Sequence, residues 1–153
     1  MTIRIPIELV RRPGFEHVED SFTSPVIRMV VESIPSVDIK GVVTPSIGRQ
    51  LQVLIDTGAD WCLIDDQVLR SIGAICMGSG AAMTKTLHGS VNHQEYGVRL
   101  RLPGLEEPIT TRVSGLEIDD GTRAYQAILG MGMIQNGKLV IDSEGDSYLE
   151  LRD

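Results

Sequence analysis

The chain has 153 residues, with 14 Lys+Arg against 21 Asp+Glu and a formal net charge of −7. An apolar content of 42% and a charged content of 23% suit one ordinary folded domain and exclude a disordered chain. The acidic balance excludes the basic surface that nucleic-acid binding requires, and it weighs against docking on anionic membranes. Two cysteines, Cys62 and Cys76, are too few for a disulfide scaffold and fit free thiols in a reducing compartment.

The N-terminal run MTIRIPIELVRRPG is interrupted by Arg4, Pro6 and Glu8, whereas a secretory signal needs about 7–15 uninterrupted apolar residues. No stretch reaches the roughly 20 apolar residues that span a bilayer. The expectation is a soluble cytoplasmic protein, with residues 1–24 as an N-terminal arm and residues 25–153 as the domain. Pro6, Pro13 and mixed charge in the first segment carry the reading as an arm.

The domain then reads as strands. Residues 26–31 form an apolar run broken only by Arg28, and residues 39–44 form a second β-branched run. A turn at Pro45-Ser46-Ile47-Gly48 leads into residues 51–55, apolar except for Gln52, which predicts a strand buried on both faces. Asp65 and Asp66 predict the cap of a short helix carrying Val68, Leu69 and Ile72, stopped by Gly73. Val98, Leu100 and Leu102 alternate with Arg99 and Arg101, the period of a strand with one wet face. Shorter strands are expected over 110–113, 124–129, 139–141 and 148–151, with a second short helix over 131–135. The fold class is all-β.

The chemistry concentrates in Val53-Leu54-Ile55-Asp56-Thr57-Gly58-Ala59-Asp60, continued by Trp61-Cys62-Leu63-Ile64. Asp-Thr-Gly alone also reads as a plain turn, with the aspartate bonding the amides that follow it. Here, however, the acid ends an apolar strand, where its desolvation must be offset. A second element, Ala127-Ile128-Leu129-Gly130, is another apolar strand leading into a short helix.

Together the two elements resemble the retropepsin-like aspartic proteases, the family of retroviral proteases and their cellular and bacterial relatives. The resemblance spans residues of about 50 to 142 and implies a retropepsin-like acid-protease closed β-barrel with one or two short helices, one lobe per chain. It implies that Asp56 is the catalytic carboxylate, supported by Thr57 and Gly58, and that the strand ending at Gly130 threads beneath their loop. Ala59 and Asp60 then line the substrate cleft. The hairpin Met83-Thr84-Lys85-Thr86-Leu87-His88-Gly89-Ser90-Val91 takes the place of a flap, with Leu87, His88, Gly89 and Ser90 against bound peptide. A plain surface hairpin is the competing reading of those residues.

Peptide hydrolysis by this route needs two carboxylates and no metal or other cofactor. Two acids about 3 Å apart share one proton, so one is poised as base and the other as acid. The chain has a single Asp-Thr/Ser-Gly, because Asp142-Ser143 is followed by Glu144 and Asp146-Ser147 by Tyr148. An active enzyme must then be a homodimer in which each subunit supplies Asp56 and Thr57 bonds across the twofold axis. Residues 148–151 are candidate interface strands. Ala59 brings no hydroxyl to donate to the carboxylate, so activity is expected at mildly acidic rather than strongly acidic pH.

One departure from the retroviral pattern stands out. Gly130 is followed by Met131-Gly132-Met133 where an arginine usually pairs with the acid after Ala, so Asp60 lacks that partner. Trp61 reads either as core packing or as part of a pocket. His88, His93 and Glu95 have no zinc-site spacing and read as solvated hairpin residues. Cys62 reads as a small buried hydrophobe and Cys76 as a loop thiol. The expected partners are a peptide or protein substrate and a second copy of the chain, without nucleic acid or membrane. The alternative function is a non-catalytic dimerisation or peptide-binding domain on the same fold.

Overall fold

The structure, a computed structural model, describes residues 1–19, 22–86 and 89–152, with the backbone alone for 79–86 and 89–92. Strands β1 (Thr2–Pro6) and β2 (Glu8–Arg11) precede β3 (Thr23–Glu32), the short pair β4 (Ser36–Val37) and β5 (Val43–Thr44), β6 (Gly48–Ile55) and β7 (Leu63–Asp65). Helix α1 (Asp66–Ser71) leads to the long hairpin β8 (Ile75–Thr86) and β9 (Gly89–Arg101). Strands β10 (Ile109–Leu116) and β11 (Ala127–Leu129), helix α2 (Met131–Ile134), β12 (Gly137–Val140) and β13 (Tyr148–Arg152) complete the order.

Six strands close into a barrel in the order β3, β6, β11, β7, β10, β9, with β9 returning to β3. Alternation sets its inside. Ile27, Met29 and Val31 of β3 meet Leu51, Val53 and Ile55 of β6, joined by Val98 and Leu100 of β9, all buried. On the opposite parity Arg99 and Arg101 point outward, where both pair with Glu32. Strand β6 differs from the expectation of two buried faces: Gln52 and Leu54 are only half-buried on its outer side. Among the described residues Tyr96 is the one aromatic of the core, so aliphatic packing supplies its cohesion, at about 1.5–3 kcal/mol for each fully buried large side chain.

Two segments depart from the sequence reading. Residues 1–24 were expected to form an arm, but β1 and β2 are both paired within the fold, and Ile3, Ile5 and Ile7 belong to the core. The alternating Ile-x-Ile-x-Ile pattern outweighs the mixed charge around it. Of the β-branched run 39–44 only Val43 and Thr44 form a strand, the short β5 paired with β4. Asp38 accepts the N–H groups of Lys40 and Val42, both at 2.8 Å, and Gly41 adopts φ 79°, so a tight turn wins over strand propensity. Ile39 is left fully exposed at its tip.

Strand β13 lies between β1 and β12 in a separate three-stranded sheet. The segment expected at a subunit interface is therefore paired on both sides within its own chain, and the edges of this sheet are β1 and β12. Among the described residues no helix is long and apolar enough to cross a membrane.

Candidate active site

Strand β6 carries the chain through the core and releases it at Asp56. The strand is held on one side by antiparallel β3 and on the other by parallel β11, with Val53 opposite Ala127 and Ile55 opposite Leu129. The Asp56 N–H donates to the Leu129 carbonyl at 3.1 Å, extending that ladder by one bond into the loop. The loop then turns on itself. Ala59 N–H donates to the Asp56 carbonyl at 3.2 Å, and Gly58 N–H donates to Asp56 Oδ1 at 2.8 Å.

The chain returns through β7, which pairs with the other side of β11, Ile64 opposite Ala127. Strand β11 thus runs between the strand that enters the Asp56 loop and the strand that leaves it. Beyond β11, Met131 N–H donates to the Ala59 carbonyl at 2.7 Å and Gly132 N–H to the Asp60 carbonyl at 2.9 Å. The loop is bonded at both ends and along its underside. At the centre of that contact sits Gly130, where an added Cβ would lie 2.6 Å from the Ala59 carbonyl oxygen and 2.5 Å from that of Trp61. Its backbone is extended, so this glycine is required by space rather than by conformation.

Asp56 is half-buried, Ala59 is half-buried, and Thr57, Gly58 and Asp60 are exposed. The arrangement gives a carboxylate whose orientation is set by a backbone N–H and whose loop cannot drift from the core beneath it. Leu87 and His88 lie outside the described residues. Gly89 and Ser90 are described in backbone only, where they pair with Thr86 and Lys85 near the end of the long hairpin.

Immediately after the loop, α1 is anchored by Asp65. This residue is buried, and its carboxylate accepts four backbone N–H groups: Gln67 and Val68 at Oδ1, Ile118 and Asp119 at Oδ2. Burial alone pushes its carboxyl up, but the four donors outweigh that effect and hold it below the usual carboxylate range. Beside it, Asp66 accepts the Tyr96 hydroxyl at 2.7 Å and pairs with Arg70 at 2.6 Å.

Trp61 was read as core packing or pocket, and it is 65% exposed. Cavities of about 640 and 560 Å³ flank it, both also lined by Cys62, Thr111 and Arg112. Thr111 and Arg112 had no role in the sequence reading. The parallel pairing of β10 with β7 brings them there, with Ser114 opposite Leu63, and no local pattern announces a partner some fifty residues away. Cys62 is half-buried, and burial pushes its thiol up to about 12. Cys76 is exposed, and the two thiols are free.

His93 corrects the expectation of a solvated residue: it is buried, on the face of β9 opposite to Tyr96 and Val98. Glu95 is half-buried and lies 4.0 Å from Arg112. Among the described residues no group of three or more His, Cys, Asp or Glu is placed to hold a metal ion.

No family model and no curated protein matches this sequence. Solved structures do match. The EIAV protease complexed with the inhibitor HBY-793 is 20% identical, with a TM-score of 0.52 over 82% of this chain and 97% of that one. A retropepsin-like aspartic protease from Rickettsia conorii is 14% identical, with a TM-score of 0.48 over 99% of this chain and 90% of that one. The chain has the retropepsin-like fold: a closed six-stranded barrel with two short helices.

Proposed function

We propose that the chain is an aspartic endopeptidase that works as a homodimer, each subunit giving one Asp56 to a shared pair. The observation that carries this reading is the placement of Asp56, a half-buried carboxylate at the end of a core strand, with its loop bonded to Leu129, Met131 and Gly132. A turn needed only to reverse the chain has no use for that support. The retropepsin-like fold is consistent with it.

In this mechanism the two carboxyl groups lie close enough to share a proton. The ionised one takes a proton from a water molecule while the other donates to the peptide carbonyl oxygen. The water oxygen bonds to the carbonyl carbon, giving a tetrahedral diol. The carbon–nitrogen bond then breaks as the nitrogen receives a proton, and the carbonyl reforms as a carboxylic acid. Gly58 N–H keeps the plane of the Asp56 carboxylate fixed, and Thr57 bonds across the twofold axis. Ala59 and Asp60 line the cleft of an extended peptide, and Leu87, His88, Gly89 and Ser90 close over it.

The test is incubation of the protein and its Asp56→Asn variant with a diverse peptide mixture from about pH 3 to pH 8, read by mass spectrometry. Cleavage by the wild type alone, with both proteins dimeric by sedimentation, is the expected result. Equal cleavage by both, or none by a dimeric wild type, would overturn the proposal. The second outcome would leave a peptide-binding or dimerisation domain on the same fold.

A further inference from the structure

The outer wall of the barrel carries another cleft, of about 930 Å³, whose lining does not include Asp56. Strand β2, the start of β3, the first half of β6 and the residues leading into β11 form it. Arg11, Arg28 and Arg123 line it together with Gln50, Gln52 and Gln126, and Glu16 is the one acid among its described lining residues. On a chain of net charge −7, three guanidinium groups on one wall run against the general trend.

The three arginines are not used up internally. Arg28 meets Glu8 at 3.4 Å, but both side chains are more than half exposed, a kind of pair that contributes little and is easily exchanged. Arg123 is exposed and donates one N–H to the Ile118 carbonyl. Arg11 is half-buried and donates to the carbonyls of Glu16 and Glu19, while its Nε is buried with no hydrogen-bond partner among the described residues. A buried N–H without an acceptor is a cost that a carboxylate reaching it would offset.

Strand β2 adds an independent feature. It stands at the end of the eight-stranded sheet and pairs only with β3, so its other side is an open edge among the described residues. An open edge next to a basic wall suits an extended chain better than a free anion, because a peptide can use backbone hydrogen bonds and side-chain charge together.

We propose that this cleft binds an acidic peptide segment, laid along the β2 edge with its carboxylates toward Arg11, Arg28 and Arg123. The site is separate from the Asp56 loop, and the proposal stands whether or not the chain is a peptidase. The negative charge elsewhere on the surface repels such a peptide and confines its binding to this wall.

Fluorescence anisotropy of a labelled hexaglutamate peptide with the full-length protein tests the idea. Saturable binding is expected at low salt, weakening as the Debye length falls from about 30 to 8 Å. Arg28→Glu should lower the affinity about tenfold or more, equivalent to about 1.4 kcal/mol. Gln50→Glu, which places an acid at an exposed position of the same wall, should also weaken it and covers the case of a misfolded Arg28 variant. Lys40→Glu, an equal charge change at the exposed turn between β4 and β5 and outside the cleft, should leave binding intact. No saturable binding, or equal losses in the Arg28 and Lys40 variants, would overturn the proposal. Displacement of the peptide by an equal concentration of inorganic phosphate would also overturn it, by reducing the cleft to a simple anion site.

Discussion

Gly130 and Ala59 meet so closely that a single methyl group cannot be fitted between them. A Cβ on Gly130 would stand 2.6 Å from the Ala59 carbonyl oxygen, and the backbone of Trp61 blocks it on another side. The obstacles are backbone atoms, so no side chain can swing away to make room. This contact ties the candidate catalytic loop to the strand beneath it.

Gly130→Ala should therefore destabilise the fold by about 2 kcal/mol or more, the scale of overpacking in a rigid site. For a domain of this length that corresponds to a fall in Tm of about 4–8 °C. Thermal unfolding followed by circular dichroism measures it. In the proposed enzyme, peptide cleavage should fall more steeply than stability, because the displaced residues belong to the loop that carries Asp56.

Asp65 makes stability depend on pH. Its carboxyl is held below the usual range when folded, so its contribution is fully present above the unfolded value near about 4. That contribution is lost as pH falls through the lower folded value. Urea unfolding of the wild type should show a midpoint falling below about pH 4, whereas Asp65→Asn should start lower at neutral pH and show a flatter acid limb. Asp65→Ala should cost about 3 kcal/mol, combining a lost helix cap with buried N–H groups left unmet.

The two thiols should differ in reactivity. With burial raising Cys62 to about 12 and Cys76 exposed, a disulfide reagent at about pH 8 should titrate one thiol rapidly in the folded protein and a second only slowly. In denaturant both should react at one rate. Cys76→Ser should remove the fast phase.

Trp61 gives the reverse of a core mutation. Because the side chain is 65% exposed, Trp61→Ala should change stability by about 0.5 kcal/mol or less. In the proposed enzyme it should alter the pattern of peptide bonds cleaved, since two cavities open beside it. Mass spectrometry of the products, alongside a thermal melt, separates the two effects.

How far the sequence foretells these features depends on how local their causes are. The Asp56 loop and the strand ending at Gly130 are legible because an acid at the end of an apolar run and a glycine after one are local signs of a costly arrangement. The helix cap at Asp65 is legible for the same reason, but its second pair of donors, from Ile118 and Asp119, comes from across the fold. Residues 39–42 misled because β-branched composition was weighed above Asp38 and Gly41, which set the turn, and only Val43 and Thr44 are strand. His93 lies in the core where a solvated place was expected, and of its two expected places Trp61 takes the pocket. Burial of a single side chain is decided by neighbours distant in sequence, and one chain read alone does not name them.

The pairing of β1 with β13 sets the timetable by which the protein takes shape. Ile3 and Ile5 leave the ribosome long before their partners Leu151 and Leu149, which lie at the other end of these 153 residues. Until those arrive, two isoleucines that end in the core stay in water. Long loops must close before such contacts form, which places the domain among slower folders. The barrel strands, β3 to β11, are all synthesised before β13 arrives to join β1 and β12 in the three-stranded sheet.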